Sequence, residues 1–112
     1  MAVVVAPLRD LASLEATVGA ARAALVGVDT SVLSGEQARR LVEMLAPLEK
    51  VVVAARLRAA TRVEECGAYR RDGFRSAAEF LAARTGTTPH AAAAAIDAAR
   101  EISRHPELAG AF

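Results

Sequence analysis

The sequence has few aromatic residues, a single cysteine and no long hydrophobic run. Its 112 residues include three phenylalanines, one tyrosine and no tryptophan. Cys66 is the only cysteine, so no internal disulfide can form and a small secreted disulfide scaffold is excluded. No stretch approaches the ~18 uninterrupted apolar residues of a membrane span, and Val3–Val5 lacks the preceding basic residues of a signal peptide. These absences predict a soluble cytoplasmic protein.

Alanine and arginine are abundant instead. There are 28 alanines, and 13 of the 14 basic residues are arginine, Lys50 being the exception. Alanine favours helices but buries little area, so the core has to come from stripes of leucine, valine and isoleucine on closely packed helices. No alternating apolar pattern of a β-strand occurs, which predicts an all-α fold. A core this thin also favours self-association.

Two apolar seams predict a long antiparallel helical hairpin. In each, apolar residues recur alternately three and four positions apart, the spacing of helices packed as in a coiled coil. The first seam lies in residues 8–26, in a helix that can end at Gly27, and consists of Leu11, Leu14, Val18, Ala21 and Leu25. The second lies in residues 34–66 and consists of Leu41, Leu45, Leu48, Val52, Ala55 and Ala59. The short connection Val28–Leu33 favours antiparallel packing of the two helices.

The second helix is bounded by local signals. Ser34 and Gln37 have the spacing of a capping box, and the helix can run to Cys66, before a glycine. Pro47 lies inside it. Because proline removes one backbone donor and clashes with the preceding turn, we expect a kink near residues 43–46 or a broken helix.

A polar loop and two shorter helices follow. Gly67–Arg75 reads as a loop, and Ser76–Glu79 is a second capping box that opens a helix through Thr85. Thr88 then caps a last helix that starts with Pro89 and runs to about residue 104, before Pro106. The chain is therefore expected to be one domain, residues 1–112, made of a first helix and connection (1–33), a long helix (34–66), a basic loop (67–75) and a helix-turn-helix-like pair (76–112).

The sequence supplies little for catalysis or metal binding. His90 and His105 are fifteen residues apart and have no partner ligands nearby in sequence. Cys66 has no neighbouring base and lies at a helix C-terminus, where the dipole disfavours a thiolate. Glu64 and Glu65 are adjacent and so point in different directions on a helix. We therefore expect no enzyme activity, no metal, no cofactor and no small-molecule ligand for this chain.

Residues 77–104 have the spacing of a helix-turn-helix. Ala82 allows close contact of two helices, Gly86 forms the turn, and polar residues cap the second helix. If the pair binds DNA, the candidate contacts are Arg84, Thr87, Thr88 and His90. Ala91–Ala95 weakens base reading, because a recognition helix needs hydrogen-bonding side chains there. The alternative is a structural helix pair with Phe80, Leu81, Ile96 and Ile102 in its core.

A second candidate is an arginine run within residues 56–75, which hold six arginines and three acidic residues. Arginine suits bidentate phosphate contact, so Arg58, Arg62, Arg70, Arg71 and Arg75 are possible DNA-binding residues. The alternative is a solvated face on which Glu65 pairs with Arg58 or Arg62 and Asp72 lies among the loop arginines.

Several of these features recur together in a known family. The stretch LRAATRVEECGAYRRDGFRSAAEFLAARTGTTPHAAAAAIDAAREISRHPELAGAF resembles the 13E12-repeat family, also called domain of unknown function 222. The resemblance covers roughly residues 34–112. It rests on the Arg/Ala-rich helix, Asp72-Gly73 before Ser76-Ala77-Ala78, Phe80-Leu81-Ala82, Gly86-Thr87-Thr88 and His105-Pro106.

The resemblance implies a bacterial protein whose helical region precedes an HNH endonuclease module. No HNH residues occur in this chain, so it would be the non-catalytic amino-terminal part of a longer protein that assists DNA binding or positioning. The alternative is a protein–protein interaction module, forming a homodimer through the long helices without contacting DNA. A sequence-specific transcriptional regulator is a third interpretation, which the alanine run disfavours.

Overall fold

The computed structural model describes residues 10–104, and every regular element in that range is helical. No strand occurs between residues 10 and 104, which confirms the all-α prediction. The elements are α1 (Leu11–Gly27), a 3₁₀ helix (Thr30–Val32), α2 (Gly35–Cys66), a 3₁₀ helix (Ala68–Asp72), α3 (Ala77–Thr85) and α4 (Pro89–Arg104). The chain divides into two compact units, Met1–Leu41 and Val42–Phe112.

In the first unit, α1 begins later than the periodicity predicts. Asp10 is its N-cap, and its Oδ1 accepts a hydrogen bond of 3.0 Å from the N–H of Ala12. The helix therefore starts at Leu11 rather than in the range beginning at residue 8, because a capping carboxylate fixes a helix start more strongly than a hydrophobic stripe. Leu8 and Arg9 lie outside the described residues. The other end agrees with the prediction, since α1 ends at Gly27.

The first unit contains no buried side chain among residues 10–41. The apolar seam of α1 is exposed, with Leu11 at 69% and Val18 at 56% of its full exposure. In the connection, Asp29 caps the 3₁₀ helix, and hydrogen bonds from the hydroxyl and the N–H of Ser31 lower the pKa of its carboxyl. The seam of α1 is thus presented to solvent on an ordered helix.

Helix α2 has the predicted bounds and is not broken at Pro47. Ser34 and Gln37 form the capping box in full: Gln37 N–H donates to Ser34 Oγ at 3.1 Å, and Ser34 N–H donates to Gln37 Oε1 at 2.9 Å. The helix continues through Pro47 to Cys66, so the expectation of a broken helix is wrong. The missing donor removes one hydrogen bond from a helix of 32 residues, and those on either side keep it continuous. The kink stays a prediction.

The core lies in the second unit and consists mostly of alanine. Its buried residues are Ala60, Ala77, Leu81, Ala82, Ala92 and Ile96. Leu57, Val63, Tyr69 and Ala78 are partly buried against them. Of the residues expected in this core, Leu81 and Ile96 are buried, whereas Phe80 and Ile102 are only half-buried. Small side chains at these positions let α3 and α4 approach closely.

The ends of the other helices follow their sequence signals. Ser76 caps α3, with its Oγ accepting from the N–H of Glu79 at 3.1 Å. Helix α4 starts at Pro89 and is described to Arg104, as predicted, while His105 and Pro106 lie outside the described range. Between residues 10 and 104, no helix combines the length and the hydropathy that a membrane crossing requires. The antiparallel hairpin of the long helices stays a prediction.

Candidate nucleic-acid interface

The basic loop is an ordered turn rather than an irregular segment. Residues 67–75, called the basic turn below, contain the 3₁₀ helix Ala68–Asp72. Gly67 and Gly73 flank it with φ of 65° and 80°, left-handed conformations that other residues adopt only with strain. The N–H of Gly73 donates to the carbonyl of Arg70 at 3.1 Å and so closes the turn. The turn therefore has a fixed backbone from which its arginines project.

Two phenylalanines and an arginine pack the basic turn against α3. The rings of Phe74 and Phe80 meet edge to face, with centroids 5.7 Å apart and planes at 80°. The guanidinium carbon of Arg84 lies 5.2 Å from the Phe80 centroid and 5.9 Å from the Phe74 centroid. Its Nη2 also forms an ion pair of 3.7 Å with Oδ2 of Asp72. These contacts join the basic turn to the carboxyl-terminal end of α3.

The turn between α3 and α4 consists of a glycine cap followed by a threonine N-cap. Gly86 adopts φ of 75°, and the N–H groups of Gly86 and Thr87 donate to the carbonyl of Ala82 at 2.9 and 3.2 Å. This is the left-handed glycine cap that ends many helices. Thr88 Oγ1 accepts from the N–H of Ala91 at 3.1 Å, so Thr88 is the N-cap of α4. The turn is three residues long, and its side chains are exposed.

The structure links the basic turn directly to Arg84 of α3. The Asp72–Arg84 ion pair joins Asp72, which follows Arg70 and Arg71 in the chain, to Arg84, which precedes the α3–α4 turn. Arg70 and Arg71 are exposed residues, and the guanidinium carbon of Arg70 lies 5.5 Å from the centroid of the Tyr69 ring. The other candidate contacts, Arg75, Thr87, Thr88 and His90, are exposed and lie in the basic turn or at the start of α4, as Arg84 lies at the end of α3. Together with Arg70, Arg71 and Arg84, they are called the basic surface below.

The charge of the basic surface is strongly positive. It contains four guanidinium groups and the carboxylate of Asp72, which is engaged by Arg84. Among the described residues, no carboxylate lies within ion-pair distance of Arg71 or Arg75. The first N–H groups of α4 add partial positive charge at its exposed N-terminus. Such a surface can contact phosphate oxygens.

The two candidates on α2, Arg58 and Arg62, form no ion pair with this surface within residues 10–104. Arg62 pairs with Glu65, with Nη1 and Oε2 3.1 Å apart, and both side chains are more than half exposed. This is the solvated-face arrangement named as the alternative for this arginine. Arg58 is exposed on α2 and has no ion pair among residues 10–104. An exposed pair of this kind contributes only about 0.2–1 kcal/mol.

The start of α4 offers few groups for reading bases. Ala91 and Ala94 are exposed where a recognition helix would present hydrogen-bonding side chains, and Ala92 is buried in the core. His90 is the only polar side chain after the cap in the first two turns of α4, through residue 96. The start of α4 therefore offers little that could read a base sequence.

A depression of about 270 Å³ lies in the second unit. It is lined by Glu64, Ser76, Ala77, Ala78, Ala93, Ile96 and Asp97. Both of its carboxylates, Glu64 and Asp97, form ion pairs with Arg100. Within residues 10–104, no three His, Cys, Asp or Glu side chains are grouped as a metal site would need. Because both carboxylates are paired with Arg100, neither is free to bind a ligand in the depression.

Sequence reasoning missed the roles of Phe74 and Arg100. The interaction of Phe80 with Arg84 was open to prediction, because the two are four residues apart on one helix face. Phe74 reaches the same guanidinium from across the basic turn, and Arg100 reaches Glu64 from another helix. No local spacing encodes these contacts, since they depend on how the turn and helices fold back.

The chain matches no family model, no curated protein and no solved structure. The resemblance to the 13E12-repeat family therefore stays a prediction that rests on sequence motifs within residues 34–112.

Proposed function

We propose that this chain is a non-catalytic helical module that binds the phosphate backbone of DNA through the basic surface. The supporting observation is the Asp72–Arg84 ion pair, because it joins two candidates that are separate in the sequence, the loop arginines and the helix-turn-helix-like pair. In the 13E12-repeat interpretation, the module would hold DNA for an HNH endonuclease carried on the same parent protein.

Binding of this kind would be sequence-independent and weak at physiological salt. Arginines that neutralise phosphates release condensed counterions, so the logarithm of the binding constant falls linearly with the logarithm of salt concentration. Each phosphate contact contributes about 0.9 to this slope. The exposed alanines of α4 add almost no discrimination between bases. The expected signature is a steep salt dependence with equal affinity for unrelated duplexes.

The double variant Arg71→Ala, Arg75→Ala is expected to weaken binding to any duplex DNA and to lower the salt slope by about 1.8. Both side chains are exposed and have no carboxylate partner among the described residues, so their removal should not disturb folding. The measurement is fluorescence anisotropy with two unrelated duplexes, titrated between about 50 and 200 mM salt.

The matched control is Arg22→Ala, Arg40→Ala, which removes the same charge from exposed positions on α1 and α2. It should lower affinity only slightly. Equal loss in both double variants would show that net charge, rather than the basic surface, governs binding. If the wild-type chain fails to bind either duplex at the lowest salt, the proposed function is wrong.

A second candidate function is association through the long helices, and the exposure of their seams favours it. Leu14 and Leu25 of α1 are each 41% exposed, and Leu48 and Val52 of α2 are 45% and 51% exposed. Contiguous apolar residues at helical spacing usually mark a surface that another element covers.

The spacing of the two seams matches when their helices run antiparallel, which supports pairing of α1 with α2. Both alternate in steps of four and three. The matched positions are Leu25 with Leu41, Ala21 with Leu45, Val18 with Leu48, Leu14 with Val52 and Leu11 with Ala55. Pairing within one chain would form the hairpin, and pairing between two chains would form a homodimer. Sedimentation equilibrium distinguishes the two by mass.

A further inference from the structure

Arg84 is the candidate DNA contact whose guanidinium is most engaged by the protein itself. It lies 5.2 Å from the Phe80 ring centroid, 5.9 Å from the Phe74 centroid and 3.7 Å from the carboxylate of Asp72. Of these partners, Phe80 is on its own helix, while Phe74 and Asp72 belong to the basic turn. The group therefore bridges two elements and is not simply directed at solvent.

We infer that Arg84 is a positioning residue, which holds the basic turn against α3 so that Arg70 and Arg71 face the same DNA backbone as the α3–α4 turn. The inference rests on the proposed DNA binding. Arg84 would act by holding its neighbours in place. Direct contact with phosphate would come from the arginines that form no ion pair with a carboxylate.

The chemistry of the site explains why an arginine occupies this position. A planar guanidinium can lie against an aromatic ring and direct an N–H group at a carboxylate at the same time. A lysine ammonium carries the same charge but is a compact, strongly hydrated point charge that makes poorer ring contacts. Charge and shape can therefore be separated by substituting Arg84 with lysine.

The variant Arg84→Lys is expected to bind duplex DNA about three- to tenfold more weakly than the wild-type chain, close to the loss caused by Arg84→Ala. A direct phosphate contact would behave differently, because lysine also binds phosphate as a point charge. Arg84→Lys would then retain nearly the full affinity and the full salt slope, and that result would overturn the inference.

Phe80→Leu tests the same inference without changing any charge. Because Phe80 is half-buried and provides the nearer ring, its loss should loosen the turn and weaken DNA binding, with α3 still folded. Full affinity in Phe80→Leu would contradict a positioning role. Arg22→Lys is the matched control for Arg84→Lys, since it makes the same substitution at an exposed position of α1.

Hydrogen exchange provides a measurement that needs no DNA. The amide N–H groups of Arg70, Gly73 and Phe74 donate within the basic turn, to Gly67, Arg70 and Tyr69 respectively. In Arg84→Lys these amides should exchange faster, while that of Ala92 in the core keeps its protection. Unchanged exchange in the turn would overturn the inference even if DNA binds. Absence of binding by the wild-type chain would instead refute the proposed function, and the DNA role of Arg84 with it.

Discussion

Replacing Ile96 with alanine is expected to lower the free energy of unfolding by about 2–5 kcal/mol. Ile96 is 3% exposed, and it and Leu81 are the only large side chains in a buried cluster whose other members are alanines. Alanines cannot move far enough to fill the space that isoleucine leaves, so most of the cavity should persist. Small domains have a total stability of about 5–15 kcal/mol, and this single change should remove a large part of it. Urea unfolding followed by circular dichroism measures the effect.

The matched control for this variant is Ile102→Ala on the same helix. Ile102 is half-buried and lies outside the buried cluster, so its truncation should lower the free energy of unfolding by less than half as much. Equal losses at the two positions would mean that the core extends further along α4 than the buried residues indicate.

The second large effect is expected for Leu48→Asp in the α2 seam. If another helix covers this seam, the aspartate would be an unpaired charge in an apolar contact, and the free energy of unfolding should fall by about 3 kcal/mol or more. Val42→Asp is the control, because Val42 lies on the same helix but outside the seam and is 68% exposed. A change at a solvated position is usually within about 0.5 kcal/mol.

The mass of each variant shows which partner covers the seam. A hairpin predicts that Leu48→Asp is a destabilised monomer, whereas a dimer predicts that it dissociates into monomers at concentrations where the wild-type chain is associated. If Leu48→Asp and Val42→Asp have the same stability and mass as the wild-type chain, the seams are solvated and the second candidate function is wrong.

The features that could be predicted from the sequence are those that neighbouring residues determine. Ser34 with Gln37 and Thr88 with Pro89 gave correct helix starts, because a cap and its hydrogen-bond partner lie within three residues of each other. The start of α1 was predicted wrongly, since apolar periodicity does not show where a helix begins. The 3₁₀ helix in the basic turn was not predicted, because the sequence shows the two glycines that flank it but not the φ values that they adopt.

The basic surface could be predicted only in its parts. Composition showed the arginines, and spacing showed the helix-turn-helix-like pair. That Asp72 reaches Arg84, twelve residues further on, depends on the fold of the turn and on the edge-to-face packing of Phe74 and Phe80. Because of this fold, Arg84 contacts Asp72 and the two phenylalanine rings, whereas Arg71 remains available to a ligand.

The small side chains of the core also affect how the protein responds to temperature. The heat capacity change of unfolding is proportional mainly to the apolar area that becomes exposed, and buried alanines contribute little area each. The second unit should therefore have a heat capacity change below the usual ~12–15 cal/mol/K per residue. A small value flattens the curve of stability against temperature, so the fold should lose stability only gradually on warming and resist cold denaturation.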